Sequence, residues 1–195
     1  GLTMGTYYKV SFFPHEKNRV EEKKLKKLIE NDLLEINRQM STYISDSEIS
    51  QVNLADEKAI VNISPWFLQV LDYSLELAEQ TNGYFDPTVG PLVNLWGFGP
   101  QKSSKKPSEY EIKKTLKFVG YKKLMFKKNT LQKSSKKLYL DLSSIAKGFA
   151  VDQLSKRLKS LAYNNHLVEI GGELKAYGKK SSKRPWIIGI EKPNA

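Results

Sequence analysis

Apolar residues recur at helical spacing in three stretches of the chain. The first stretch covers residues 20–40, and its apolar positions are Leu25, Leu28, Ile29, Leu33, Ile36 and Met40. Because charged residues fill the positions between them, the pattern predicts an amphipathic helix. A second helix is predicted to begin at Ser64-Pro65, with serine as N-cap and proline at the first helical position, and to stop at Asn82-Gly83. The third predicted helix covers residues 145–161.

Apolar runs rich in β-branched and aromatic residues predict strands. They occupy residues 4–13, 138–142, 166–170 and 186–190, and a lysine-rich pair at 122–126 and 130–132 predicts a hairpin. Ser108 and Glu111 have capping-box spacing, which predicts a short helix ending at Gly120. Helices and strands do not alternate strictly. The sequence therefore predicts an α+β fold with mixed or antiparallel sheets and packed helices, in a single domain over residues 1–195.

Residues 85–100 fit neither the helical spacing nor the strand alternation of apolar residues, although they are strongly apolar. Proline and glycine recur around Trp96 and Phe98, and a carboxylate and a hydroxyl stand at the front. Loops are usually polar, so this segment is predicted to be an ordered loop that walls a binding site. At the start of this segment, Tyr84 and Phe85 either flank a planar ligand, with Asp86 as polar anchor, or form core beside a turn. The residues alone leave both interpretations open.

Composition excludes several kinds of chemistry. The chain has no cysteine, which rules out a disulfide, a thiolate metal site and a cysteine nucleophile. It has two histidines, His15 and His166, which argues against a histidine-rich metal site or a Ser-His-Asp triad.

The net charge of +11 comes from one segment. Residues 101–137 contain 13 lysines and two glutamates, so the rest of the chain is neutral. The segment has no arginine, the better residue for bidentate phosphate and base contacts. We therefore expect a solvated face and no nucleic-acid partner, while contact with an anionic membrane surface or an acidic partner stays open.

A predicted strand-to-helix junction lies at residues 141–148. A helix N-terminus there offers N–H groups and a positive dipole end to a phosphate, and Lys147 adds a cation in the first turn. Asp141 would hold a ligand hydroxyl or a base edge. The alternative is a plain capped helix, with Ser143 or Ser144 as N-cap.

Together these segments resemble the ApbE family of Mg-dependent FAD:protein FMN transferases. The motifs that carry the resemblance occur in order at residues 3–6, 40–48, 83–99, 141–150 and 168–174. The resemblance implies an ApbE-like (T-fold-like) fold and an enzyme that cleaves FAD, releases AMP and leaves FMN on a Ser or Thr of a target flavoprotein.

The resemblance also implies the site residues. The FAD contacts are expected from Met4, Tyr43, Tyr84, Phe85, Asp86, Asp141 and Lys147. Ser144 would give its backbone carbonyl to Mg²⁺, which needs near-octahedral oxygen coordination. No catalytic residue is assigned.

The family's remaining metal ligands belong to a later part that does not occur in these residues. We therefore expect a fold whose C-terminal part is missing, because that half is on another chain, was cleaved or is lost, and we expect weak or no activity from these residues alone. The rival hypotheses are metal-dependent FAD hydrolysis to FMN and AMP, and flavin binding without turnover. The resemblance implies an extracytoplasmic protein, periplasmic or lipid-anchored at the inner membrane, although no signal peptide is recognisable.

Overall fold

A computed structural model describes residues 1–13, 21–180 and 184–190. The α-helices are α1 (Glu22–Met40), α2 (Glu48–Leu54), α3 (Pro65–Gln80), α4 (Gly90–Leu95), α5 (Glu109–Leu116) and α6 (Ser143–Ser160). The strands are β1 (Leu2–Thr3), β2 (Thr6–Phe12), β3 (Val61–Asn62), β4 (Leu124–Lys127), β5 (Thr130–Lys133), β6 (His166–Ile170) and β7 (Glu173–Tyr177). A 3₁₀ turn, Tyr121–Lys123, precedes β4.

The chain groups into two compact units. The terminal unit comprises Gly1–Leu33 and Lys147–Ala195, and the central unit comprises Leu34–Ala146. Helices α1 and α6 each contribute residues to both units. The single-domain assignment stays a prediction.

The terminal unit contains an antiparallel sheet in the order β1-β2-β6-β7. Its longest pairing joins β2 to β6, from Tyr8 opposite Ile170 to Phe12 opposite His166. Arg157 donates two hydrogen bonds of 2.8 Å to the Asp32 carboxylate, which links α6 to α1. His166 is fully buried between the Ser155 hydroxyl and the Tyr163 carbonyl, so its role is structural.

The central unit packs α-helices and a small antiparallel sheet in the order β3-β5-β4. Its core includes Phe67 and Leu71 on α3 and Ile49 on α2, all fully buried. The Glu48 carboxylate at the start of α2 accepts a 2.6 Å hydrogen bond from the Ser64 N–H, directly before α3. Ser64 stands at the predicted N-cap position, but its side chain makes no capping bond.

Most predicted elements are confirmed. Helices α1, α3 and α6, the capping box of α5, strand β6 and the β4–β5 hairpin lie where periodicity and capping placed them. Helix α5 ends at Leu116, before the predicted Gly120. The fold class, α+β with antiparallel sheets, is also confirmed.

Other predictions need correction. The strand expected over residues 4–13 is confirmed for Thr6–Phe12, whereas Met4 and Gly5 have positive φ and form the two-residue turn between β1 and β2. Residues 138–142 are extended but make only an isolated bridge, and residues 186–190 form no strand. Residues 85–100 include α4 rather than being loop throughout. The sequence did not predict the short elements α2 and β3, or strand β7. His15 lies outside the described residues.

In the part of the chain that the structure describes, no helix is both long and apolar enough to span a bilayer.

Candidate functional site

Asp86 organises the apolar loop of the central unit. One carboxylate oxygen accepts hydrogen bonds from the Thr88 N–H (2.8 Å) and the Thr88 hydroxyl (2.6 Å). The other accepts from the Tyr121 N–H at 2.9 Å, and the Thr88 oxygen accepts from the Gly120 N–H at 2.7 Å. Asp86 and the fully buried Thr88 therefore join the loop to the start of the lysine-rich hairpin.

The extended segment 138–142 runs beside this loop. The Asp141 N–H donates to the Pro87 carbonyl at 2.9 Å, and Tyr139 pairs with Val89 in a parallel bridge. A Cβ on Gly90 would collide with the Tyr139 ring and carbonyl, so glycine at this position permits the close approach. The backbone thus brings the Asp86 loop and Asp141 together.

The Asn53 side chain pairs with the backbone of segment 138–142 in the way that a neighbouring strand would. Its side-chain amide donates to the Leu140 carbonyl at 2.9 Å and its oxygen accepts from the Leu140 N–H at 2.7 Å. Both backbone groups of a buried residue are satisfied in this way, as burial requires.

Asp141 also caps α6. Its carboxylate accepts a 2.9 Å hydrogen bond from the Ser143 N–H, so Asp141 takes the capping role that the alternative interpretation of the sequence gave to Ser143 or Ser144. The N–H groups of Ile145 and Ala146 donate to the Leu142 carbonyl. The Ser144 N–H has no acceptor among the described residues, which leaves a donor at the positive end of the helix dipole.

Exposed aromatic side chains accompany the loop in the central unit. Tyr84 is 98% exposed, and Tyr43 and Phe98 are 61% and 76% exposed. The Tyr43 hydroxyl donates to the Phe98 carbonyl at 3.0 Å. Phe85 is half-buried, and its N–H donates to the Thr81 hydroxyl. Large exposed rings with a half-buried neighbour suit a planar ligand better than a plain core.

In the terminal unit, two further predicted site residues occupy contrasting environments. Met4 stands at the hairpin turn with φ of 49°, a conformation that a non-glycine residue adopts only at a cost. Lys147 forms a 3.0 Å ion pair with Glu173 at the start of β7. The second carboxylate oxygen of Glu173 is buried and has no hydrogen-bond partner.

The donors present do not complete a magnesium site. Among the described residues no group of three or more His, Cys, Asp or Glu side chains is placed to hold a metal ion. The Ser144 backbone carbonyl is one oxygen, whereas Mg²⁺ requires near-octahedral coordination.

Several residues of this site were not found from the sequence. Thr88, Gly120, Asn53 and Tyr139 act through long-range backbone contacts, and a single Thr, Gly, Asn or Tyr carries no local signal of such a partner. Burial raises the pKa of Tyr139 above its ordinary value, while neighbouring Asn53 and Asn94 side chains act in the opposite direction.

Comparison with known proteins identifies the class. The chain is 40% identical to the solved structure of flavin transferase ApbE from Vibrio cholerae, with a TM-score of 0.95 over 99% of this chain and 62% of that one. It also superposes on the ApbE protein of Thermotoga maritima with a TM-score of 0.86 at 29% identity, over 98% of this chain and 62% of that one. The fold is therefore that of the flavin transferases.

The ApbE family profile matches residues 4–195, and the chain belongs to the ApbE family. An FAD:protein FMN transferase of Haemophilus influenzae is 42% identical over 99% of the chain, and one of Vibrio cholerae is 40% identical over 100%. The chain spans 58% of the length of each of these relatives.

Proposed function

We propose that this chain is the FAD-binding portion of an FAD:protein FMN transferase. The enzyme would transfer FMN from FAD to a Ser or Thr hydroxyl of a target flavoprotein and release AMP. The observation that carries the proposal is the junction at Asp141, where a capped helix start stands beside the Asp86 loop. The transferases of Haemophilus and Vibrio align across this junction.

The residues of this chain would bind and orient FAD. The Ser144 N–H and the helix dipole suit an anionic pyrophosphate, and Lys147 would add a cation once it separates from Glu173. Tyr43, Tyr84 and Phe85 supply aromatic surface for a planar ring. Asp86 maintains the loop geometry through its three hydrogen bonds. Phosphoryl transfer depends mainly on such positioning and on charge stabilisation.

We propose Mg²⁺ dependence on the family resemblance, with ligands in addition to the Ser144 carbonyl. The acceptor is proposed to be a flavoprotein subunit outside the cytoplasm, which would place this protein in the periplasm or at the inner membrane through a lipid anchor.

The test is a flavin transfer assay on the full-length protein. It would be incubated with FAD, Mg²⁺ and a Thr-containing flavoprotein subunit, and the acceptor band would be read by in-gel flavin fluorescence. We expect a fluorescent band that EDTA abolishes and that Asp141→Ala reduces. Asp72→Ala, on the exposed face of α3, is the matched control.

Other products would support the rival functions. Free FMN and AMP without a labelled acceptor would indicate FAD hydrolysis by water. Saturable FAD binding with neither product would indicate a flavin-binding protein without turnover. Absence of FAD binding in wild type would overturn the site as well as the reaction.

A further inference from the structure

The central unit contains an open cleft that none of the predicted FAD contacts lines. It has a volume of about 520 Å³ and lies between α4, residues 101–103, the end of α5 and residues 136–139. This volume falls in the range of ordinary ligand sites.

The cleft is positively charged. Lys102, Lys136 and Lys137 line it, and no lining residue is acidic. Lys136 is neutralised by Asp56 at 2.7 Å. Lys137 lies over the Phe118 ring, with its Nζ 5.0 Å from the ring centroid. Neither Lys102 nor Lys137 has a carboxylate partner among the described residues, so two charges of the cleft are uncompensated.

The cleft also adjoins the Asp141 junction. Leu138, Leu140 and Leu142 are fully buried, so the alternation of an extended chain places Tyr139 and Asp141 on the same side of the segment. Tyr139 lines the cleft, and two residues of extended chain span about 7 Å. A ligand in the cleft would therefore lie near a substrate bound at the junction.

We infer that this cleft receives an acidic segment of the acceptor polypeptide, next to the hydroxyl that takes the FMN group. The inference rests on the proposed function and names the acceptor's chemistry. The lining combines lysines with hydroxyl and amide groups and with the apolar side chains of Pro91 and Leu95, a mixture suited to a peptide. A nucleotide fits less well, because Lys137 occupies a face of the Phe118 ring where a base would stack, and no arginine lines the cleft for bidentate phosphate contacts.

The experiment measures peptide affinity without turnover. A fluorescent peptide with one Thr flanked by Asp residues is titrated into the full-length protein at low salt, and the same peptide with Asn in place of Asp is the reference. We expect the acidic peptide to bind roughly tenfold tighter in wild type, since two or three exposed ion pairs contribute modestly each. Lys102→Gln with Lys137→Gln should reduce that preference to within about twofold.

Two matched variants distinguish binding in the cleft from attraction of the peptide to the positive charge of the whole chain. Lys127→Gln with Lys128→Gln removes the same charge from the exposed β4–β5 turn and should leave the preference unchanged. Asp56→Asn releases Lys136 and should tighten the acidic peptide, an effect that damage to the fold would not produce.

Several outcomes would overturn the inference. The first two are equal affinity of wild type for both peptides, and an equal loss of the acidic-peptide preference in the Lys102/Lys137 and Lys127/Lys128 double variants. The others are displacement of the peptide by AMP, and binding of anionic vesicles that depends on the cleft lysines while the peptide does not bind. FAD binding, measured separately by flavin fluorescence, distinguishes the two proposals. Lost FAD binding with intact peptide preference would contradict the transferase site and leave the cleft assignment standing.

Discussion

At the scale of single residues, Asp86 and Thr88 show how a polar pair supports an apolar loop. The Asp86 carboxylate accepts three hydrogen bonds, and Thr88 accepts one more from Gly120. Because Thr88 is fully buried, its hydroxyl has no water to replace a lost partner.

We expect Asp86→Asn and Thr88→Val each to lower the free energy of unfolding by about 1–3 kcal/mol. Asparagine would present an N–H₂ group toward the Thr88 or Tyr121 donors, and valine would leave the Gly120 N–H without its acceptor. Urea unfolding monitored by circular dichroism gives the values. Asp72→Asn, an exposed control, should change stability by less than about 0.5 kcal/mol. If neither variant loses more unfolding free energy than Asp72→Asn does, the network is dispensable for stability.

Lys133 is a buried cation that forms no ion pair with a carboxylate among the described residues. It is 2% exposed, and its ammonium donates to the carbonyls of Asn53 (2.6 Å), Leu138 (3.3 Å) and Lys136 (3.5 Å). Burial lowers the pKa of Lys133 from 10.5 to about 8. The folded state therefore releases this proton before the unfolded state does.

The sign of the pH dependence follows. Between about pH 8 and 10.5 the unfolded chain binds more protons at Lys133, so stability should rise with pH by up to about 3 kcal/mol. Below pH 8 the penalty of the buried charge is fully present. Unfolding free energies of wild type and Lys133→Met across this range test the prediction, since the variant should lack this rise. Unfolding free energies that change with pH in the same way in wild type and Lys133→Met would contradict the prediction.

At the scale of elements, the β1–β2 hairpin brings a candidate FAD contact into a strained turn. Met4 and Gly5 both have positive φ, 49° and 72°, as a two-residue type I′ turn requires. Asparagine and glycine adopt this conformation readily, whereas methionine does not. The family resemblance assigns Met4 to FAD, which suggests that the strain is retained for binding.

We expect Met4→Asn to raise the free energy of unfolding by several tenths to about 1 kcal/mol and to weaken FAD binding. Gly5→Ala should destabilise by about 1–2 kcal/mol, because among the described residues no atom beyond its chain neighbours lies within 4 Å of the added Cβ, so the cost is backbone strain alone. Thermal unfolding and flavin fluorescence titration measure the two effects. Unchanged FAD affinity in Met4→Asn would remove Met4 from the site.

At the scale of the whole molecule, ligand binding should stabilise the folded chain by mass action. FAD at about one hundred times its Kd should add about 2.7 kcal/mol. Asp141→Ala should weaken FAD binding, and Lys147→Ala should weaken it less because Glu173 already engages that cation at 3.0 Å. Thermal shift with and without FAD measures both. An equal FAD-induced change of melting temperature in wild type and both variants would refute the site assignment.

Local sequence determined the elements whose signals are local. The apolar period of α1, the capping box at Ser108, the Asn82-Gly83 stop and the apolar run of β6 each require only neighbouring residues, and all four appear in the structure. The motifs and their order along the chain also identified the family, because residue types at fixed spacing can be recognised without knowledge of the fold.

Tertiary structure alone decided what depends on partners distant in the chain. Residues 138–142 have strand composition, yet the pairing of Tyr139, Leu140 and Asp141 depends on Val89, Asn53 and Pro87, which lie far away in the chain. The Asp86 loop joins the lysine-rich hairpin, and three of the 13 lysines of residues 101–137 line one cleft. Hydrogen bonds and charges of this kind arise from contacts across tens of residues, and no local pattern of side chains encodes them.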